Sequence, residues 1–148
     1  MSVSIAFRMM TEIGIIHQLG STLFERDLPD NLTMPQFAVL NHFARLGGEQ
    51  SPAELARVMQ VTKATMSSTL VRLENKGFVA STPDPTDGRS RRIAMTAAGR
   101  KARERAIKSV AHHIAEIERE IGVRALEDAL PFLTKMRTFL DHQRRGED

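Results

Sequence analysis

Apolar residues recur at steps of three and four along most of the chain, a spacing typical of amphipathic helices. The first such stripe predicts a long helix that ends near Leu28-Pro29. Thr33 and Gln36 form a capping-box pair, which predicts the start of a second helix. This helix stops at Gly47-Gly48. The apolar positions of these two helices are Ile5, Met9, Ile13, Ile16, Leu19, Leu23, Phe24, Phe37, Leu40 and Phe43.

Two shorter helices follow in close succession. Ser51 is a favourable N-cap, Pro52 suits the first helical position, and Glu54 can reach back to the cap. This helix has room for about two turns, because Thr62 already caps the next one, which Gly77 terminates. A short helix, a tight turn and a second capped helix together predict a helix-turn-helix.

A predicted hairpin separates this helix pair from the C-terminal helices. One strand begins at Phe78-Val79, the turn lies within TPDPTDGRSRRIAMT, and RRIAM forms the returning strand. Thr96 then caps a long helix that runs to about Ile121, and Gly122 breaks it. Pro131 should kink or split the last helix. The predicted fold is mainly α with a small β-hairpin wing and six helices.

Composition and charge narrow the class of protein. The chain has 148 residues, no cysteine, and a net charge of +3. Residues 51–105 carry 11 Lys and Arg against 5 Asp and Glu, whereas the remainder carries 10 against 13. A basic central region attracts phosphate, although charge alone fits a solvated basic face equally well. We expect a cytoplasmic protein with no membrane span, since no apolar run is long enough.

The second helix of the pair begins with an unusual number of hydroxyl side chains. Ser and Thr are mediocre helix formers, so helix propensity does not explain them. Short hydroxyl side chains can approach a DNA groove and bond phosphates or base edges, but they also occur on ordinary surface helices. The residues concerned are Thr62, Thr65, Ser67, Ser68 and Thr69, together with Lys63.

The hairpin favours the DNA-binding interpretation. Its turn combines Pro85, Asp87 and Gly88, which suit turn geometry, with Arg89, Arg91 and Arg92, which supply charge. Asp87 is placed to orient Arg89. A helix-turn-helix followed directly by such a hairpin is a winged helix, and arginine is favoured in a narrow minor groove.

The segment from Leu55 to Gly99 resembles the MarR family of winged-helix transcription regulators. The resemblance lies in Leu-Glu-x-x-Gly at 73–77, Asp-x-Arg at 87–89, and Met-Thr-x-x-Gly at 95–99, where the family usually has Leu-Thr-x-x-Gly. It implies a homodimer, with residues 1–30 and 97–148 as dimerisation helices and 31–96 as the DNA-binding lobe. It also implies a pseudopalindromic DNA site. The DNA contacts it implies are Lys63, Thr65, Ser67 and Ser68, with Arg89 in the minor groove and Arg91 or Arg72 on backbone phosphate.

Many members of this family sense a small molecule, a metal or an oxidant. Thiol sensing is excluded because cysteine is absent. His112 and Glu116 are four residues apart next to His113, but this spacing is more often a solvated face than a metal site, and we expect no metal or cofactor. The effector-binding residues stay unassigned: His17, Met10, Phe37 and Arg45 could line the family's cleft, but none is diagnostic.

The prediction is a sequence-specific DNA-binding regulator, and specifically a ligand-responsive repressor that binds double-stranded DNA. The alternative is a helical dimer whose winged lobe binds another protein without DNA. We expect no enzymatic activity, since the sequence contains no phosphate-binding glycine loop, metal triad or Gly-x-Ser-x-Gly motif.

Overall fold

The computed structural model describes residues 2–146 and is mainly α-helical with a small antiparallel sheet. The chain divides into two compact units, one ending at Val110 and the other beginning at Ala111. The elements in chain order are α1 Ile5–Glu25, α2 Met34–Leu46, β1 Glu49–Gln50, α3 Pro52–Met59, α4 Lys63–Asn75, β2 Val79–Pro83, β3 Arg91–Met95, α5 Ala97–Ser109, α6 Ala111–Ile121 and α7 Val123–Arg145.

Four helices of the first unit begin at the caps that the sequence predicts. Thr33 and Ser51 each form a complete capping box, with Gln36 and Glu54 returning a bond to the cap backbone. The Thr62 hydroxyl accepts from the backbone N–H of Thr65 at 3.1 Å. These bonds satisfy amide groups that otherwise have no partner within the helix.

Helix α4 also ends in a defined motif. Gly77 has φ of 76°, a left-handed conformation that glycine adopts without steric cost. The N–H of Phe78 donates to the carbonyl of Leu73 at 2.9 Å, and the N–H of Gly77 donates to that of Glu74 at 2.9 Å. This is a Schellman motif, so Leu-Glu-x-x-Gly encodes the way in which α4 stops.

The same motif, without glycine, forms the turn between α3 and α4. Gln60 has φ 54° and ψ 46°, and the N–H of Val61 donates to the carbonyl of Ala56 at 3.0 Å. Thr62 then caps α4 two residues after Gln60. The helix-turn-helix is therefore a left-handed helix end followed directly by a new N-cap.

The core of the first unit lies between the helix pair, α2, α5 and the sheet. Its most deeply buried side chains are Val39, Leu40, Phe43, Leu55 and Leu73. The sheet order is β1-β3-β2, with β3 antiparallel to both neighbours. The sequence predicts only the hairpin of β2 and β3. The third strand, β1, joins the wing to the segment that precedes α3.

The structure has seven helices in its described part, and the predicted count of six is wrong. The predicted helix from Thr96 to Ile121 is divided at Val110, which has φ of −97° and ψ of 2°. The Ser109 hydroxyl donates to the carbonyl of Ala106 at 2.7 Å, while the N–H of Val110 reaches that carbonyl only at 3.4 Å. A side chain that competes for a backbone acceptor weakens the helix locally.

The last helix, α7, continues through Pro131. The prediction allowed a kink or a split at this proline, and of the two the split is wrong. Proline removes one backbone donor, but 14 residues of helix follow it, from Phe132 to Arg145, and their bonds continue the helix beyond the lost one.

Three helices leave large apolar side chains on the surface of the chain. None of the described residues of α1, α6 or α7 is buried. Ile5 is 73% and Leu19 67% exposed in α1, and Leu130 and Phe139 are each 59% exposed in α7. None of the described helices is long and apolar enough to cross a membrane.

Candidate nucleic-acid interface

The first two turns of α4 combine a buried face with an exposed polar face. Met66 and Leu70 are buried in the core. The residues predicted to contact DNA are on the exposed side: Thr62, Lys63, Thr65, Ser67, Ser68 and Arg72. The periodicity of α4 thus separates packing residues from the hydroxyl-rich set.

These exposed residues differ in how far their side chains are already engaged. The Thr62 hydroxyl caps α4 and also donates to the Thr65 hydroxyl at 2.9 Å. Within residues 2–146, the side chains of Lys63, Ser67, Ser68 and Arg72 have no hydrogen bond or ion pair. Thr62 and Thr65 are therefore held in place by each other, whereas the other four can all turn toward a ligand.

The wing tip is a turn held by two aspartates. The carboxylate of Asp84 accepts from the backbone N–H of Thr86 at 2.9 Å and from its hydroxyl at 2.8 Å. These two bonds, the backbone one first, lower the pKa of Asp84. Asp84 was not among the predicted site residues, although an aspartate side chain that bonds the backbone two residues on is a common turn signal.

Asp87 accepts the second set of hydrogen bonds at the wing tip. Its carboxylate accepts from the backbone N–H of Arg89 at 3.0 Å, and its carbonyl accepts from the N–H of Ser90 at 3.0 Å. Arg89 therefore occupies the third position of a four-residue turn. Asp87 bonds the backbone of Arg89. It therefore affects the position of the Arg89 guanidinium through the conformation of the turn.

The three arginines of the wing lie in three different environments. The guanidinium of Arg91 donates to the hydroxyl of Ser81 and, at 3.1 Å, to its carbonyl. Arg92 lies 3.6 Å from the carboxylate of Glu54 and 3.9 Å from that of Glu49. In the described part of the chain, the Arg89 side chain has no such partner. Strand register brings Ser81 to Arg91 and Glu49 to Arg92, whereas Glu54 reaches Arg92 from α3. None of these partners was predicted, because they come from elements other than β3.

The base of the wing is joined to the start of α5. The hydroxyl of Thr96 donates to the carbonyl of Gly77 at 2.6 Å, and its N–H donates to that of Phe78 at 3.1 Å. Gly99 packs so closely that a Cβ there would lie 2.9 Å from the carbonyl carbon of Phe78. The Met-Thr-x-x-Gly segment therefore anchors α5 against the end of α4.

A mostly apolar pocket of about 490 Å³ lies beside α4. His17 of α1 lines it, as do Thr65 and Thr69 of α4. Met10, Phe37 and Arg45, the other residues considered for an effector cleft, are not among its lining residues, and Phe37 packs against the core. Thr65 belongs both to the pocket wall and to the exposed start of α4.

In the second unit, the two histidines considered for metal binding contact each other with their ring planes tilted by 40°. The ring centroids of His112 and His113 are 3.8 Å apart. Glu116 lies 3.7 Å from Arg119, one turn further along α6. This ion pair accounts for the Glu116 carboxylate.

Comparison with known proteins gives a consistent picture. The sequence profile of the MarR family matches residues 30–90. The transcriptional activatory protein BadR of Rhodopseudomonas palustris is 29% identical over 96% of this chain and 79% of its own length. The transcriptional regulator HosA of Escherichia coli O127:H6 is 36% identical over 62% of this chain and 67% of its own.

One of the similar solved structures is a complex with DNA. A cysteine-to-serine mutant of MarR from E. coli, crystallised with operator DNA, superposes with a TM-score of 0.70 at 25% identity. The superposition covers 87% of this chain and 93% of that one. The winged helix-turn-helix, the match over residues 30–90 and the likeness to HosA lead to one conclusion: the chain belongs to the MarR family and is a DNA-binding transcription regulator.

Proposed function

We propose that the protein acts as a homodimeric, ligand-responsive repressor that binds a pseudopalindromic DNA site. The observation that carries this proposal is the distribution of partners on the winged lobe. Arg91 and Arg92 have intramolecular partners, whereas Lys63, Arg72 and Arg89 are exposed cations without one among the described residues. Such cations are suited to phosphate and groove contacts.

In this proposal α4 enters the major groove and the wing tip enters the adjacent minor groove. Lys63, Ser67 and Ser68 contact base edges or phosphates near the start of α4, and Thr62 and Thr65 hold that start in shape. Arg72 or Arg91 contacts backbone phosphate. Asp87 positions Arg89 by fixing the turn on which it stands, and residues 31–96 form the DNA-binding lobe.

The dimer is proposed from the exposed apolar faces of α1 and α7. Exposed apolar surface on a helix often marks an interaction site, and the apolar side chains of α1 and α7 supply it here. The proposed dimerisation segments are residues 1–30 and 97–148. We expect a solution mass of twice the 16.5 kDa of the chain. A two-fold dimer would place two α4 helices in successive major grooves, about one helical turn apart.

Repression requires only that the bound dimer blocks RNA polymerase, whereas activation needs an additional polymerase contact. We therefore propose repression relieved by a small molecule, with no enzymatic activity and a cytoplasmic location beside the chromosome. Unlike the alternative of a protein-binding lobe, this proposal requires duplex binding.

The test is selection of bound duplexes from a random pool, followed by titration at several salt concentrations. We expect enrichment of an inverted repeat and an affinity that falls steeply with salt, because bound phosphates release counterions. Recovery of no enriched sequence, with no retention on bulk duplex, would favour the protein-interaction alternative. In vitro transcription from the selected site then separates repression from activation.

A further inference from the structure

Val71 is an exposed apolar residue in the middle of α4. It is 56% exposed, while Met66, Leu70 and Leu73 bury another face of the same helix. Single exposed apolar side chains are common on protein surfaces. The significance of Val71 therefore depends on the residues with which it shares its face.

Val71 lies beside the two serines proposed to contact DNA. It follows Ser67 by four residues and Ser68 by three, spacings that bring side chains together on a helix. All three residues are exposed. From Lys63 to Val71 the helix rises about 12 Å, which matches the width of the major groove, about 12 Å. Val71 is therefore within the part of α4 that a major groove can enclose.

The residue types of α4 restrict how it can recognise a base pair. Residues 63–73, KATMSSTLVRL, contain no Asp, Glu, Asn or Gln. This stretch therefore lacks the amides that pair with adenine and the carboxylates that accept from cytosine. Lys63 and Arg72 can donate to guanine. Recognition of an A·T pair here is left to hydroxyl groups and to contacts with the 5-methyl group of thymine.

We infer that Val71 is a specificity-determining residue that packs against the 5-methyl group of a thymine in each half-site. Valine has one strongly preferred rotamer in a helix, so its methyl groups are held in place before DNA binds. The contact removes apolar surface of both partners from water. The amino group of cytosine or the N7 of a purine at this place would lose water without gaining a hydrogen bond. This inference rests on the proposed placement of α4 in the major groove.

Deoxyuridine tests the contact, because it differs from thymidine only in lacking the 5-methyl group. Each thymine of the selected duplex is replaced in turn, and fluorescence anisotropy measures the affinity of the full-length protein. We expect one position in each half-site at which the replacement weakens binding about fourfold. This factor corresponds to about 0.8 kcal/mol, the value for burying one methylene-sized group.

Val71→Ala supplies the protein half of a double-mutant cycle. Alanine is the stronger helix former, so the variant should fold. It should bind the thymine duplex more weakly than the unchanged protein and show no further loss with deoxyuridine at that position. Val58→Ala removes an exposed valine of α3 instead and should keep the response of about fourfold.

Cytosine at the same position gives an independent check, because its 5-methylation restores the methyl group within a G·C pair. Methylation should raise the affinity of the unchanged protein about fourfold and leave the affinity of Val71→Ala unchanged.

Three results would overturn the inference and leave the proposed function intact: selected half-sites without a common thymine, no thymine whose methyl group affects binding, or an equal deoxyuridine effect in Val71→Ala. Failure to select any duplex would instead contradict the proposed binding to a specific site, and the role of Val71 with it.

Discussion

Gly99 of α5 lies against the backbone carbonyl of Phe78, with no room for a β-carbon between them. Gly99→Ala must therefore move α5 away from the end of α4, and we expect it to lower the free energy of unfolding by about 3 kcal/mol. Urea unfolding followed by circular dichroism measures this change. Gly88→Ala is the matched control, because open space surrounds Gly88, and stability should change by about 0.5 kcal/mol or less. Equal effects of the two variants would contradict the close packing.

Arg89 is the wing residue on which DNA affinity should depend most. Arg89→Ala should weaken binding to the selected duplex by about 1–3 kcal/mol. Because about 1.4 kcal/mol corresponds to a tenfold change in Kd, most of this range means a loss of affinity of at least about tenfold. Fluorescence anisotropy measures the affinity. Arg124→Ala removes the same charge from an exposed position on α7 and should leave affinity within about twofold. An Arg89→Ala protein that binds as tightly as the unchanged one would remove the wing from the interface.

Arg92 should matter less for DNA than Arg89. Arg92 is paired with Glu54 and Glu49, so Arg92→Ala should weaken DNA binding less than Arg89→Ala does. Its effect on stability should be about 1 kcal/mol or less, as for other partly exposed ion pairs. Anisotropy and thermal unfolding of both variants give the comparison. The reverse order of DNA affinities would mean that Arg92 exchanges its carboxylate partners for phosphate.

The wing tip should respond to acid through Asp84. Its bonds to Thr86 lower its pKa below the ordinary 3.8. A lowered pKa in the folded chain means that the contribution of Asp84 is present at neutral pH and is lost as the pH falls through that lowered value. We expect the amide signal of Thr86 in NMR spectra to move with pH with a midpoint below 3.8. In Asp84→Ala this titration of the Thr86 signal should be absent.

Gln60 adopts a left-handed conformation in the turn of the helix pair, and only glycine does so without a steric penalty. Gln60→Gly should raise the free energy of unfolding by about 1 kcal/mol. Arg57→Gly, placed within α3, should lower it by about 1 kcal/mol. Chemical unfolding of the two variants checks both signs. The Gln60 side-chain amide donates to the Arg57 carbonyl at 2.6 Å. A loss of stability in Gln60→Gly would mean that this hydrogen bond outweighs the backbone strain.

Features that depend on neighbouring residues could be predicted from the sequence. The caps at Thr33, Ser51, Thr62 and Thr96 and the helix end at Gly77 are all correct. Each is determined by bonds within about six residues, and the residue types concerned have few alternative uses.

Features that depend on distant pairing could not be predicted in the same way. Glu49 and Gln50 form a strand only because β3 lies beside them, and neither residue favours a strand. The partners of Arg91 and Arg92 likewise come from other elements: Ser81 and Glu49 through strand register, and Glu54 through the packing of α3 beside the sheet. The break at Val110 was missed because its cause, the Ser109 hydroxyl on the Ala106 carbonyl, competes with a helix that the apolar spacing otherwise supports.

Both ends of α4 are fixed by hydrogen bonds, at the start by the Thr62 hydroxyl and at the end by the backbone of Gly77 and Phe78. A helix fixed at both ends loses little conformational entropy when it meets DNA, so the cost of association falls mainly on side chains and on the duplex. Sequence preference should then depend strongly on how easily each DNA site bends or changes its groove width. Helix α4 would keep its shape on binding, so differences in affinity between DNA sites would largely reflect the free-energy cost of deforming each site.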